Sequence, residues 1–247
     1  MKKVAFITGG TSGLGLCVVK KLVQLDYDVV SVSRDKKKIR EAQEQLNSDK
    51  VFFIQGDITD EQTIENIYQH LFNEYGFVNV VINNVGIIEG GGIEDISPEA
   101  WKRVFQVNVH VPFLIIKKML WLLKRAESAC VINVSSIASK ITGDCLAYSA
   151  SKAALDMMTK SLAKEMSKYY IRVNSVNPGI FTTGFQIHNH MMSDKEYETF
   201  LETAVEAYPM GIGTAEDVAD LICFLITKGS WMTGGNYVID GGRSINC

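Results

Sequence analysis

The stretch Val4-Ala5-Phe6-Ile7-Thr8-Gly9-Gly10-Thr11-Ser12-Gly13-Leu14-Gly15 decides the fold of this chain. Its apolar run predicts a short strand covered on both faces. Glycines follow at once, and a helix is predicted from Gly13 to about Leu25. Such a turn gathers free backbone N–H groups and the positive end of a helix dipole at one spot. Its glycines let a pyrophosphate approach the backbone. Between a strand and a helix at the start of a chain, it is a dinucleotide-binding signal. The apolar run is too short to read as an export signal.

Outward from that stretch, strands and helices alternate. Strands are predicted at 29–33, 51–54, 78–83, 129–134, 171–176 and 237–239. Helices are predicted at 35–46, from a capping box at Thr59 to Gln62 up to about 75, at 98–125 with a kink at Pro112, at 148–169 and at 214–227. The strands are near-continuous apolar runs, as in a parallel sheet buried on both sides. The expectation is a single Rossmann-like, doubly wound α/β domain over residues 1–247, with a seven-stranded, mainly parallel sheet and helices on both faces. Residues 181–210 interrupt the rhythm beyond a strand's carboxyl end, where a substrate lid belongs.

The composition fits a cytoplasmic globular protein. The 247 residues are 47% hydrophobic and carry a net charge of −3, which points away from nucleic acid and anionic membranes. No apolar run approaches the roughly 18 residues of a membrane span. Cys17, Cys130, Cys145, Cys223 and Cys247 are odd in number and lack metal-ligand spacing, as in a reducing compartment. His188-Asn189-His190 has no third ligand at fitting spacing and reads as polar lid surface beside Met191-Met192.

The second strand ends in Ser33-Arg34. An acidic residue there would hold the ribose hydroxyls of NAD, whereas a hydroxyl and a guanidinium suit a 2′-phosphate. Ser12 could add a hydrogen bond, and Asp35 complicates the choice. NADP(H) is favoured and NAD(H) stays open. Further on, Tyr148 and Lys152 share one helix face, a turn apart. The lysine charge is expected to draw the tyrosine pKa down from about 10, giving a proton donor and acceptor.

With these residues in view, the chain resembles the short-chain dehydrogenase/reductase family of compact, roughly 250-residue enzymes. The resemblance spans the chain and rests on Thr8-Gly9-x-x-x-Gly13-x-Gly15, Asp57-Ile58, Asn83-Asn84-Val85-Gly86, Asn108, Ser135-Ser136, Tyr148-x-x-x-Lys152, Asn177-Pro178-Gly179 and Asp240-Gly241-Gly242. It implies a ketone and a secondary alcohol as the small-molecule substrate pair. Tyr148 is implied as acid and base, Lys152 as its electrostatic partner and ribose ligand, and Ser136 as the group that polarises the carbonyl. Asn108 is implied to hold a water linked to Lys152.

Gly9, Thr11, Ser12, Gly13, Leu14, Gly15, Ser33 and Arg34 make the implied cofactor site with Asp57 and Ile58 at the adenine. Asn83, Asn84, Val85 and Gly86 line it further in. Pro178, Gly179, Ile180 and Thr183 hold the nicotinamide, and no metal is implied. A homodimer or homotetramer is expected, using Trp101, Phe105, Phe113 and Trp121.

Departures from the family pattern set the open points. Ser136 precedes Tyr148 by 12 residues and Ser135 by 13. The loop after the serines is thus one residue short, and Ser135 competes with Ser136. Ser139 replaces a glycine, Val85 an alanine, and Pro209-Met210-Gly211 lacks an arginine. Two rival functions remain: an NAD-dependent alcohol dehydrogenase, and a catalytically silent cofactor sensor on the same fold.

Overall fold

The computed structural model describes residues 2–143, 145–183, Phe185, Asn189 and 193–246. His188, His190, Met191, Met192 and Cys247 lie outside the described residues.

Seven strands form one parallel sheet: β1 (Lys3–Thr8), β2 (Tyr27–Ser33), β3 (Val51–Gln55), β4 (Val80–Asn83), β5 (Ala129–Val134), β6 (Ile171–Pro178) and, after a two-stranded pair, β9 (Asn236–Ile239). Their order is β3-β2-β1-β4-β5-β6-β9, and every neighbouring pair is parallel. The chain winds outward from β1 to β3, crosses back to β4, and then winds the other way. The reversal leaves a crevice between the carboxyl ends of β1 and β4, where ligands bind in such sheets.

Alternate side chains of one strand enter opposite layers. Val4 and Phe6 pack with α3 (Glu61–Glu74), α5 (Val111–Lys124) and the end of α6 (Leu146–Met166). Ala5 and Ile7 pack with α1 (Gly13–Gln24) and α8 (Ala215–Thr227). Both faces being covered explains the unbroken apolar runs.

Three boundaries differ from expectation. The long helix predicted at 98–125 is α4 (Pro98–Phe105), a π-helical turn (Gln106–His110) and then α5. The backbone stays helical through Phe105, His110 and Val111, so the irregularity expected at Pro112 takes the form of a π turn just before it, where the proline removes a hydrogen bond and crowds the Asn108 carbonyl four residues back. Helix α6 begins at Leu146, two residues early, so Tyr148 is already inside its first turn. Helix α3 is capped by Asp60, which accepts from the Gln62 N–H; Thr59 instead donates to Asp57.

One feature had no sequence signal: β7 (Phe181–Thr182) and β8 (Gly213–Thr214) form a short parallel pair, and β8 runs into the Thr214/Asp217 capping box that opens α8. Between them, α7 (Asp194–Ala204) follows the helical spacing of Tyr197, Phe200, Leu201 and Ala204 and starts on a second box, Ser193 with Glu196.

A chain of polar side chains crosses the covered sheet. Asn83 Nδ2 donates to Asn133 Oδ1 at 2.8 Å, Asn133 Nδ2 donates to Thr159 Oγ1 at 2.8 Å, and Thr159 Oγ1 donates to the Leu155 carbonyl at 2.9 Å. All three residues are buried. Thr159→Val keeps the volume but strands the Asn133 amide, an expected loss of about 1–3 kcal/mol of stability. Thermal or urea denaturation checks this, and an unchanged midpoint would refute the bridge's contribution.

Candidate active site

At the end of β1 the Thr8 Oγ1 accepts two N–H groups across the seam, from Asn84 and Val85, each at 2.9 Å. Asn84 Nδ2 donates back to the Thr8 carbonyl at 2.9 Å. This stitches β1 to β4 just where the crevice opens. Asn83, expected at the cofactor, points into the core instead, because strand alternation sends neighbours to opposite faces.

The Gly-rich turn fits an anion by an internal test. A Cβ on Gly15 would lie 2.0 Å from the Gly9 carbonyl oxygen, so only glycine permits this approach. Gly9 has φ of 71°, the left-handed region. Ser12 occupies the N-cap of α1 without a side-chain capping bond, and the first turn holds no acidic residue. The amino end of α1 therefore offers its N–H groups to the cleft.

That cleft has a volume of about 680 Å³ and runs from Arg34 past the turn to Ser136, Tyr148 and Lys152. Gly9, Ser12, Gly13, Leu14 and Gly15 line it with Asn84, Val85, Gly86, Pro178, Gly179, Ile180 and Thr183. Thr11, Ser33, Asp57 and Ile58 stand behind it. Thr11 Oγ1 donates to Ser33 Oγ at 3.1 Å, and Ile58 is packed in the core. Exposed Arg34 reaches Asp57 at 3.5 Å. Asp35, the ambiguous residue of the sequence, is the N-cap of α2 (Lys36–Leu46) and accepts from the Lys37 and Lys38 N–H groups. Those bonds hold its carboxyl below the usual range.

The serines separate cleanly. Ser135 is buried and its Oγ donates to the Lys152 carbonyl at 3.3 Å. Ser136 accepts from the Ala138 N–H at 3.1 Å and lies beside Tyr148, whose pKa its side chain pulls down. Lys152 is 3% exposed, its Nζ donates to the Val134 carbonyl at 2.8 Å, and it lies 5.5 Å from the centre of the Tyr148 ring.

Electrostatics at the pair departs from expectation. Burial around the hydroxyl pushes Tyr148 up to about 12, against the pull of Ser136, and Cys145 adds to the rise. Burial pushes Lys152 down to about 8, opposed by Asp156. Desolvation outweighs the lysine charge, whose Nζ is spent on a carbonyl. At neutral pH the pair is therefore a neutral phenol beside an ammonium.

Asn108 sits on the π turn. Its Oδ1 accepts from Ile87 N–H at 2.8 Å, and its Nδ2 faces the Ile87 carbonyl at 2.9 Å and Ser151 Oγ at 3.0 Å. It clamps the strand end after β4 to α6. A Cβ on Gly86 would come within 3.3 Å of Lys152 Nζ and 3.4 Å of Asn108 Oδ1, so these three residues meet tightly.

Tyr208 was missed by sequence reasoning. Its hydroxyl accepts from the Ile180 N–H at 2.9 Å, while the Met210 N–H donates to the Gly241 carbonyl at 2.9 Å. These contacts fasten the 178–180 turn without the arginine absent at 209–211. A lone tyrosine beside a proline carries no signal of that.

Among the described residues, no group of three or more His, Cys, Asp or Glu side chains is placed to hold a metal, and no helix is long and apolar enough to cross a membrane.

The short chain dehydrogenase family matches residues 3–194, and this chain belongs to it. The NADP-dependent (R)-specific alcohol dehydrogenase of Lentilactobacillus kefiri is 32% identical, over 97% of this chain and 96% of that one. The L-fucose dehydrogenase of Mus musculus is 28% identical, over 98% and 89%. The solved structure described as ElxO with NADP bound superposes with a TM-score of 0.90 at 28% identity, covering 99% of this chain and all of that one. The protein is an oxidoreductase of this family.

Burying the Lys152 ammonium costs stability. Lys152→Met should stabilise the nucleotide-free protein by about 1–2 kcal/mol at pH 7. The folded value, about 8, lies below the ordinary 10.5, so the unfolded chain binds more protons between the two. Wild-type stability then rises across that window, and the variant's advantage should fade as pH climbs through it. Denaturation midpoints from pH 7 to 10.5 check the sign; a pH-independent difference would contradict it.

Proposed function

We propose that the protein is an NADP(H)-preferring oxidoreductase that interconverts a ketone and a secondary alcohol. The observation that carries the reading is that Ser136, Tyr148 and, one turn on, Lys152 line the same cleft as the glycine-rich end of α1, whose N-cap side chain makes no capping bond. When bound, the nicotinamide cofactor supplies hydride to the carbonyl carbon or accepts it from the alcohol.

The chain's own groups handle the proton. Tyr148, a neutral phenol at pH 7, gives its proton to the carbonyl oxygen; in reverse, the phenolate takes it from the alcohol. Ser136 donates to the same oxygen and polarises it. Lys152 favours the phenolate left behind and binds the cofactor ribose. Asn108, through the π turn, keeps that lysine's surroundings in register.

Ser12, Gly13, Leu14 and Gly15 hold the pyrophosphate, and Asn84 to Gly86 flank the ribose. Asp57 and Ile58 serve the adenine, and Pro178, Gly179, Ile180 and Thr183 the nicotinamide. Capture of Asp35 by α2 supports the NADP preference, since that acid is engaged as a helix cap, and exposed Arg34, whose contact with Asp57 is a long 3.5 Å, is placed to meet a 2′-phosphate.

The relatives differ in what their names say they act on, an alcohol in one and fucose in another, so kinship leaves the substrate open. The cleft near Tyr148 is lined by Ile88, Ile137, Ile141, Phe185 and Phe200, and among the described residues its lining includes no Asp or Glu. This supports an apolar ketone over a sugar, whose hydroxyls would need polar partners. We further propose that residues 1–247 act as one unit with a lid over 181–210. A dimer or tetramer is proposed on the partly exposed Trp101, Phe113 and Trp121 along α4 and α5.

Reduction of a panel of apolar ketones and aldohexoses, followed by NADPH absorbance, tests the reading. Tyr148→Phe should lower kcat by about a thousandfold and leave NADPH affinity largely intact. Retained turnover would sink the proposal. Arg34→Ala should weaken NADPH by about tenfold, as loss of a charge-assisted contact does, while leaving NADH alone; an unchanged preference would return NAD to contention.

A further inference from the structure

Asp156 lies one turn beyond Lys152 on the face of α6 that carries Tyr148 and Lys152. It is 5% exposed. Its Oδ2 receives Ser139 Oγ at 2.6 Å, Asn177 Nδ2 at 2.8 Å and Lys140 Nζ at 3.0 Å. Ser175 Oγ lies 3.2 Å from its Oδ1. A buried carboxylate is tolerated only when so satisfied. Burial alone would raise its pKa, but bonds from Ser139, Ser135 and Lys140 outweigh this and hold the group below the usual range. It is ionised at neutral pH.

Two of these donors lead to the serine. Asn177 Nδ2 is 3.1 Å from the Ser136 carbonyl oxygen, and Ser139 Oγ is 2.8 Å from it. Ser139 has one hydrogen within reach of two acceptors, Asp156 and the Ser136 carbonyl. Asn177 has two amide hydrogens within reach of three, Asp156 Oδ2 at 2.8 Å, Ser139 Oγ at 3.0 Å and the Ser136 carbonyl at 3.1 Å. A bridge thus runs from α6 through the end of β6 to the main chain of Ser136. It replaces what the short loop lacks, because Ser136 passes directly into a 3₁₀ turn (Ile137–Ser139). The serine standing where the family has glycine supplies one of the bridge's links.

We propose that Asp156 is a positioning residue: through Asn177 and Ser139 it fixes the main chain of Ser136 beside Tyr148, and one turn along α6 it sets its carboxylate on the helix face that carries Lys152. The inference rests on the Ser136–Tyr148–Lys152 reading above. Asp156 does not line the cleft and touches no reacting atom. Among the described residues, the charged groups that act on it or that it acts on are Lys140, from the loop that follows the 3₁₀ turn, and Lys152, from its own helix. Ser135, Ser139, Ser175 and Asn177 face it uncharged.

The test compares Asp156→Asn, Asp156→Glu and Ser139→Ala in the full chain. Two readouts are taken: steady-state reduction of the best ketone of the panel, and a Lys152 titration by carbon-13 lysine NMR, which needs no turnover. Asp156→Asn should lower kcat about tenfold through a displaced Ser136, with KM changed little. It should also move the Lys152 titration down by about one unit. Asp156→Glu should restore the titration. Ser139→Ala should lower kcat but leave the titration in place, a split that mere loss of stability would not produce. A folded Asp156→Asn with wild-type kcat and titration overturns the proposal. Should that variant not fold, wild-type kcat in Ser139→Ala overturns the positioning of Ser136, and a Lys152 titration moved down in a folded Asp156→Glu, which keeps the charge, overturns the rest. Wild-type protein that reduces no ketone would instead refute the ketone reading, and the Lys152 titration would still judge Asp156.

Discussion

The seam between β1 and β4 governs this molecule. A parallel sheet covered on both faces leaves only its strand ends for polar chemistry. Here the strand order reverses at β1 and β4, so that no crossover helix fills the gap between them. Thr8 and Asn84 hold the two strand ends together with three hydrogen bonds. The Gly-rich turn, the Gly86 contact and the cleft all take their positions from that stitch. A glycine at position 15 lets α1 start against the Gly9 carbonyl, which brings the helix end into the crevice.

Desolvation then shapes the chemistry. Lys152 and Tyr148 are driven towards their neutral forms by the same burial, in opposite pKa directions. The lysine stays charged because a carbonyl accepts from it and an ionised Asp156 lies a turn away. The phenol keeps its proton, although Ser136 beside it pulls its pKa the other way. The polar groups beneath them, buried Ser175, Asn177 and Asp156 with half-buried Ser139, form a set that satisfies itself. Such a network is costly when half made and rigid when complete. The cleft floor is therefore stiff, while its apolar wall comes from the loop after β5 and the 181–210 segment.

Much of the fold was legible from local pattern. Both-face burial writes itself as unbroken apolar runs, and capping residues such as Thr214 with Asp217 mark a helix start wherever they occur. Tyr148 and Lys152 were legible because helical spacing alone puts them on one face. Other features were not. Asn83 and Asn84 read alike in sequence, and only strand alternation sends one inward. Asp35 read as a rival ribose ligand, and its use as a helix cap depends on backbone geometry. Pro112 marks an irregularity in the sequence, but only the structure gives its form, a π turn around Asn108.

The sequence by itself determined the alternation of strands and helices, the glycine-rich turn between β1 and α1 and the shared helix face of Tyr148 and Lys152, because each is written in residues close together along the chain. Tertiary structure decided which serine faces the tyrosine, which way the pKa values move, and what holds the short loop in place. Those outcomes depend on burial and on contacts between β5, β6 and α6 across dozens of residues. Asp156 shows the difference most plainly: in sequence it is one charge on a helix, and in space it is the point where Ser139, Lys140, Ser175 and Asn177 converge.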